Sequence, residues 1–378
     1  MKNKIRIILI SSIVITISII NILMPIRSFS SQENRYLQRL PKPNISDILS
    51  GKYSSDYEKY TTDQFPYRDF WIRVKTATDL LMLKKDNGRV YFGKNGFLFD
   101  VDPDFDQEQF QKNMEYINNF IKKVKEVDDG IRVGAVLIPS KGAVHLDLLP
   151  EYAPIVDESK MVADIKDALP KDFYIVDLID SLREKSDENI YYRTDHHWTT
   201  KGAYYGYRAL SSVLNFNPYT EVEFNIEKVS DDFLGTVYRK ANLYTGEPDS
   251  IYRYSFININ DINYNIIINE SMVKDSLYDE KYLEKTDKYS YFLGGDYGVV
   301  DIETSIDNGK SLVIIKDSYA NSLVPFLSLH YERIILIDTR YFGGSIPQYI
   351  KDKNIDDILF VFNTQNFTQF KTMNILNR

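Results

Sequence analysis

Five short apolar runs limit what this chain can fold into: "IRVGAVLIP" (131–139), "FYIVDLI" (173–179), "SLVIIKDS" (311–318), "RIILIDT" (333–339) and "DILFVFN" (357–363). Each has the length of a strand, and each is apolar at almost every position, so both faces should be buried. Segments of helical spacing lie between them. From Gln107 to Val127 the apolar positions are Phe110, Met114, Ile117, Phe120, Ile121 and Val124. "MVADIKDAL", "HWTTKGAYYGYRALSSVL" (starting near Thr199 or Thr200), "ANSLVPFLSLH" and "IPQYIKDKN" also read as helices. Strands alternating with helices imply an α/β protein built on a parallel sheet covered on both faces. Residues 215–305 break that rhythm. They are rich in Tyr, Asn, Asp and Ile and alternate in stretches such as "YRYSFININDINYNIIIN", so they read as a β-rich insertion in a domain spanning 96–378.

The start of the chain sets its compartment. Lys2, Lys4 and Arg6 precede an uncharged run over 7–26, "IILISSIVITISIINILMPI", long enough to cross a hydrocarbon core. Either this helix is kept as a signal anchor behind a cytoplasmic tail (1–6), or it is a signal peptide cut near Ser28 to Ser31. The run is long for a signal peptide, which favours the anchor. Arg27, Arg35 and Arg39 follow it, so the flanking charges alone do not orient it. Both readings place the bulk of the chain outside the cytoplasm. Residues 27–95 read as a stalk or adaptor. Pro41 and Pro43 interrupt helix there. From Phe70 to Met82, Phe70, Trp71, Val74, Ala77, Leu80 and Leu81 share one helical face, and "NGRVYFGKNGFLFD" reads as a hairpin.

Composition removes several chemistries. The chain has no Cys, so disulfides, thiol nucleophiles, iron–sulfur clusters and Cys-ligated zinc are excluded. Its net charge of −8 argues against a broadly basic nucleic-acid surface. Only His145, His196, His197 and His330 can supply imidazole. In "YYRTDHHWTTKGAYYGY" an extended backbone would put Asp195 and His197 on one side and His196 on the other. A carboxylate beside an imidazole can orient its tautomer and stabilise its charged form. Ser318 in "VIIKDSYANSLVPFL" ends the third run just before a helix, where parallel α/β sheets place their ligands. Helix-start N–H groups there can stabilise an oxyanion. Tyr319, Asn321, Lys141 and Asn363 could join the same edge as oxyanion or substrate contacts. Each feature also has a plainer reading. Asp and Ser before a helix are common N-caps, a lone Asp-x-His is often structural, and the doubled histidine could ligate a metal with Asp195. The 29 Tyr and 21 Phe could stack on sugars or simply fill the core.

Taken together, "RTDHHWTTKGAYYGYRAL", "VIIKDSYANSLVPFLSLHYERIILIDTRYF", "DQFPYRDFW" and "GRVYFGKNGFLF" resemble the DHHW protein family. That family is similar to the SGNH-hydrolase-like proteins of alginate O-acetylation, of the AlgJ and AlgX type. The resemblance implies an SGNH-hydrolase-like (flavodoxin-like) α/β fold and a Ser–His–Asp triad of Ser318, His197 and Asp195, with no cofactor. The order Asp-His then Ser matches the alginate-type proteins. The chain departs from them in having His196 between Asp195 and His197, and "KDSY" in place of Gly-Asp-Ser. It also shows no C-terminal extension of carbohydrate-binding size, so polysaccharide recognition would fall to the insertion or a partner. The implied activity is extracytoplasmic O-acetyl transfer to a polysaccharide, with esterase or non-catalytic scaffold as alternatives. The implied acyl source is a membrane-bound O-acyltransferase.

Overall fold

The computed structural model describes residues 2–30, 35–102, 104–243, 246–258 and 262–378. Ser31, at the end of the candidate cleavage stretch, lies outside the described residues, as do 259–261 of the alternating insertion stretch. Two compact units are present, one of residues 1–90 with 238–246 and the other of 91–237 with 247–378.

In the first unit, helix α1 (Lys2–Leu23) contains a window at Lys4–Asn21 of mean hydropathy 1.9 that is not buried. It is long and apolar enough to cross a membrane, as an anchor or as a signal sequence. Three helices follow, α2 (Ile45–Leu49), α3 (Lys52–Asp63) and α4 (Arg68–Leu81). The apolar face expected of α4 does not pack inward. Its buried residues are Arg68, Thr76 and Asp79.

The second unit is built on an eight-stranded sheet. Its strands in chain order are β1 (Arg132–Ile138), β2 (Tyr174–Asp177), β3 (Tyr264–Ile268), β4 (Met272–Lys274), β5 (Val299–Thr304), β6 (Ser311–Lys316), β7 (Arg333–Asp338) and β8 (Asp357–Asn363). Their order across the sheet is β4-β3-β5-β7-β6-β8-β1-β2. The five strands expected from the apolar runs are parallel to one another. The sheet as a whole is mixed, because β5 adds antiparallel to β7, β3 antiparallel to β5 and β4 antiparallel to β3. The wholly parallel, flavodoxin-like sheet is therefore corrected. Part of the presumed insertion extends the sheet, and the half-buried alternation of β3 suits an antiparallel edge with one face on the core. Another part forms a two-stranded ribbon, Phe224–Phe233 against Asp249–Phe256.

The parallel strands have a further regularity. Counted from β6, their spatial order is 2-1-3-4-5, the doubly wound order entered at a displaced starting point. That displacement puts Ser318, after the first strand of the count, late in the chain. Alternate strand residues serve two cores. Val136, Ile314, Leu336 and Leu359 face Trp198, Tyr204 and Phe326. Ala135, Ile315, Ile335 and Phe360 face the long helix α5 (Gln107–Val127), which supplies Phe110, Ile117, Phe120 and Val124. Asp106 caps α5 by accepting from the Gln109 N–H at 3.0 Å. The helix expected at 320–330 is broken into a 3₁₀ turn at Ser318–Ser322 and one α-turn at Val324–Leu327.

Candidate active site

Strand β6 delivers Asp317 and Ser318 to its carboxyl end, and the structure divides their roles. Asp317 is the N-cap, with Oδ1 accepting from the Tyr319 N–H at 2.9 Å. Its Oδ2 accepts from the Asn363 N–H at 2.9 Å and from Asn366 Nδ2 at 2.8 Å. Burial raises the pKa of this carboxyl, against the pull of those hydrogen bonds. With the cap supplied by Asp317, the half-buried Ser318 places its Oγ 2.7 Å from His197 Nε2, across 121 residues of chain.

The Asp-His-His segment is not extended. Residues 191–198 form a bent loop closed by a Tyr191–Trp198 antiparallel bridge and by the Tyr192 N–H on the His197 carbonyl at 3.2 Å. Its backbone polar groups are satisfied from outside, which lets it bend without forming regular structure. Asp249 accepts from the Arg193 N–H at 3.0 Å, the Thr194 N–H at 2.8 Å and the Thr194 hydroxyl at 2.6 Å. Lys141 Nζ donates to the carbonyls of Tyr192, Arg193 and Asp195 at 2.9, 3.1 and 2.8 Å. Trp198 Nε1 donates to the Tyr319 carbonyl at 3.0 Å, and the Tyr319 hydroxyl donates to the His196 carbonyl at 2.6 Å. These last two bonds tie the histidine loop to the serine turn.

Within the loop, Asp195 Oδ1 lies 2.6 Å from His197 Nδ1 and accepts from the His197 N–H at 3.0 Å. Its Oδ2 accepts from the Thr236 N–H at 2.7 Å and the Thr236 hydroxyl at 2.9 Å. Burial opposes ionisation of Asp195, but the neighbouring imidazoles and these hydrogen bonds outweigh it and hold the pKa well below the usual carboxylate range. A carboxylate only accepts, so His197 carries its proton on Nδ1 and turns the Nε2 lone pair towards the Ser318 hydroxyl. Burial, reinforced by the charge of His196 and opposed by Asp195, pushes His197 down to about 4. At neutral pH the imidazole is therefore a neutral base.

His196 does not point away as expected. Its ring packs on the His197 ring at a centroid distance of 3.8 Å. Its Nδ1 lies 2.7 Å from Thr236 Oγ1, which already donates to Asp195 and so accepts from His196. Asp195, His196 and His197 bring three potential ligand atoms within 4.8 Å of one another. Both nitrogens of His197 and Nδ1 of His196 are engaged, however, so the set is spent on hydrogen bonds rather than poised for a metal.

The four accessory residues expected at this edge are all hydrogen-bonded within the protein. The three donors of Lys141 are consumed by loop carbonyls, and burial pushes its ammonium down to about 8. Asn363 caps the following helix through Gln365 N–H and donates to the Ile138 carbonyl. Asn321 lies between Lys316 Nζ at 2.8 Å and Asp296 Oδ1 at 3.1 Å. The Tyr319 N–H is taken by Asp317, and its hydroxyl by His196. Lys141, Asn363 and Tyr319 bond backbone groups around the site, whereas Asn321 bonds the side chains of Lys316 and Asp296. A small cavity of about 50 Å³ lies beside His196 and Tyr319, with Phe99, Leu149 and Ile155 among its walls.

Three site residues carried no legible signal in the sequence, and all lie in the 215–305 segment. Tyr289 stacks on the His197 ring at 3.7 Å with planes 5° apart, and its hydroxyl donates to the Ser318 carbonyl at 3.2 Å. Thr236 and Asp249 hold Asp195 and its loop. Gly235 was the one available hint, because a β-carbon there would collide with the Asp195 side chain.

The acid, imidazole and alcohol thus meet at the carboxyl edge of the sheet, where open α/β sheets place their ligands. Residues 158–337, which include both motif stretches, match the family described as DHHW protein. The chain is 24% identical over 169 residues to the protein named "Probable alginate O-acetylase AlgJ" in Pseudomonas aeruginosa, covering 41% of each chain. It is 23% identical over 194 residues to the protein of the same name in Pseudomonas putida, covering 48% of this chain and 50% of that one. The match thus spans half or less of these relatives' length. Among solved structures, a DHHW family protein from Eubacterium siraeum superposes with a TM-score of 0.62 at 28% identity, covering 77% of this chain and 98% of that one. Bacillus cereus PatB1, solved with a sulfonyl adduct, superposes with a TM-score of 0.64 at 20% identity, covering 76% and 97%. The PatB1 likeness concerns the fold.

Proposed function

We propose that this chain is an extracytoplasmic O-acetyltransferase that moves an acetyl group onto a polysaccharide hydroxyl through an acyl-enzyme on Ser318. The observation that carries the reading is the continuous array Asp195 Oδ1–His197 Nδ1 at 2.6 Å and His197 Nε2–Ser318 Oγ at 2.7 Å, at the carboxyl end of β6. The O-acetylase name of the Pseudomonas relatives supports the acyl chemistry. Ser318 Oγ attacks the donor's acetyl carbonyl while its proton passes to His197 Nε2. The tetrahedral intermediate collapses, and His197 returns that proton to the leaving group. A sugar hydroxyl then attacks the acetyl-serine, gives its proton to His197, and Ser318 Oγ recovers it on departure. Asp195 holds the imidazole in the tautomer each step needs and stabilises its charged form. The Tyr289 ring fixes its plane. In this reading α1 anchors the chain in the membrane, and a membrane-bound O-acyltransferase supplies the acetyl group.

Water in place of the sugar would make the same site an esterase, so the test is product analysis. With an activated acetyl ester and added oligosaccharide, acetylated sugar should accumulate at the expense of free acetate. Acetate release unaffected by sugar would replace the transferase reading with hydrolysis.

The acid limb of the pH profile offers a second test. His197 must be neutral to take a proton, so kcat/KM should hold as pH falls below the ordinary histidine value of 6.5 and decline only towards about 4. The stability linkage has the same sign. Burial also pushes His145 and His330 down to about 4. The stability these neutral imidazoles contribute is complete above the unfolded value of 6.5 and is lost as pH falls towards 4. Denaturation monitored at each pH separates that loss from the catalytic limb. A limb centred near 6.5 in a protein still folded would contradict the buried-base assignment.

A further inference from the structure

Helix α4 presents its apolar side outward. On its inner side the Thr76 hydroxyl donates to the Ala241 carbonyl at 3.2 Å, and Asn242 Nδ2 donates to the Asp69 carbonyl at 3.0 Å. Arg68, Thr76 and Asp79 are buried. On the outer side Tyr67, Phe70, Trp71 and Leu81 are exposed at 65%, 52%, 50% and 84%. At 100° per residue Phe70, Trp71, Val74 and Leu81 form one stripe along the helix, with Tyr67 at its N-cap.

The place of that stripe is set by the end of α1. Arg27 is fastened to the α3–α4 corner. Its N–H donates to Gln64 Oε1 at 3.0 Å, its carbonyl accepts from Gln64 Nε2 at 2.9 Å, and its guanidinium reaches Asp69 at 3.2 Å. Four residue steps separate Leu23, the last residue of α1, from Arg27, so the corner lies within ~14 Å of the helix end. The headgroup zone on each side of a bilayer is roughly 5–8 Å deep. We propose that the outer stripe of α4 lies in the headgroup–acyl boundary of the membrane that α1 spans. This inference rests on the anchor reading. Tyr and Trp partition to that boundary, and an amphipathic helix lying in it buries its apolar face a few ångströms deep. Lys85, exposed just past the helix, suits anionic headgroups. The apolar faces would then serve as an adaptor that sets the first unit on the lipid surface, which explains why they are not spent on its own core.

The chain has two tryptophans, and Trp198 is fully buried, so Trp71 reports the stripe. The full chain is reconstituted in phosphatidylcholine–phosphatidylglycerol vesicles carrying a spin label either near the headgroup or near the acyl terminus. Trp71 emission, isolated by difference from a Trp71→Phe variant, should be lost to the shallow label, less to the deep one, and little to aqueous iodide. Iodide quenching with no effect of either lipid label would overturn the inference. Protection from all three quenchers would also overturn it and point to a protein covering the stripe. Failure of the full chain to float with vesicles sinks the anchor reading and this inference with it, whereas flotation with Trp71 in water sinks the inference alone.

Discussion

Ser318→Ala is expected to lower acetyl transfer and acetyl-ester hydrolysis together by about 10³-fold or more, on the precedent of Ser–His–acid sites. The two activities fall together because both pass through the same acetyl-serine. Folding should be nearly untouched. Asp317, not Ser318, supplies the cap of the turn, and the hydroxyl's partner is His197 Nε2. Unfolding stability therefore serves as the control, and a serine-directed sulfonyl reagent should label the parent chain but not the variant. Wild-type transfer by a folded Ser318→Ala protein would end the acyl-enzyme mechanism and favour a scaffold role.

Lys141→Met should have the second largest effect, through a different route. The substitution keeps an unbranched stem but removes the ammonium that three loop carbonyls share. The Arg193 carbonyl keeps the Leu98 N–H at 2.9 Å, so two carbonyls, of Tyr192 and Asp195, lose their partner; each left buried and unpaired costs about 1–3 kcal/mol, and a loss of about 2 kcal/mol or more in unfolding free energy is expected. Because the Asp195 carbonyl is one of the three, the loop that aims His197 should loosen, and kcat should fall by more than KM rises. The measurement is denaturant unfolding alongside steady-state kinetics. If Lys141 instead touched substrate, KM would rise while stability stayed unchanged, and the positioning role would be wrong.

Local pattern and tertiary context are separable here. Four of the five parallel strands were legible because a strand buried on both faces must be apolar at nearly every position, a property of the run itself; β2 is apolar too, but lies half-buried at the sheet edge. Helix α5 was legible because its apolar spacing and its Asp106 cap are both local. The helical face from Phe70 to Leu81 was legible as a pattern, but not which way it points. Periodicity shows that a helix has two unlike sides and is silent on which side meets protein. The protein partners of Asn363 and Lys141 were not legible for a related reason. A polar residue at a strand end can face substrate or satisfy backbone, and only the partners present decide which.

What the sequence determined alone was therefore the inventory: the strands, the membrane-length helix, and the acid, imidazole and alcohol in two short motifs. What only tertiary structure decided was the junction. The sheet order sets β6 beside β8, the bent loop turns both histidines to one side, and Tyr289, Thr236 and Asp249 arrive from a segment with no motif of its own. The physical reason is that hydrogen bonds and ring stacking act over a few ångströms in space, whereas sequence pattern records only what neighbours along the chain require.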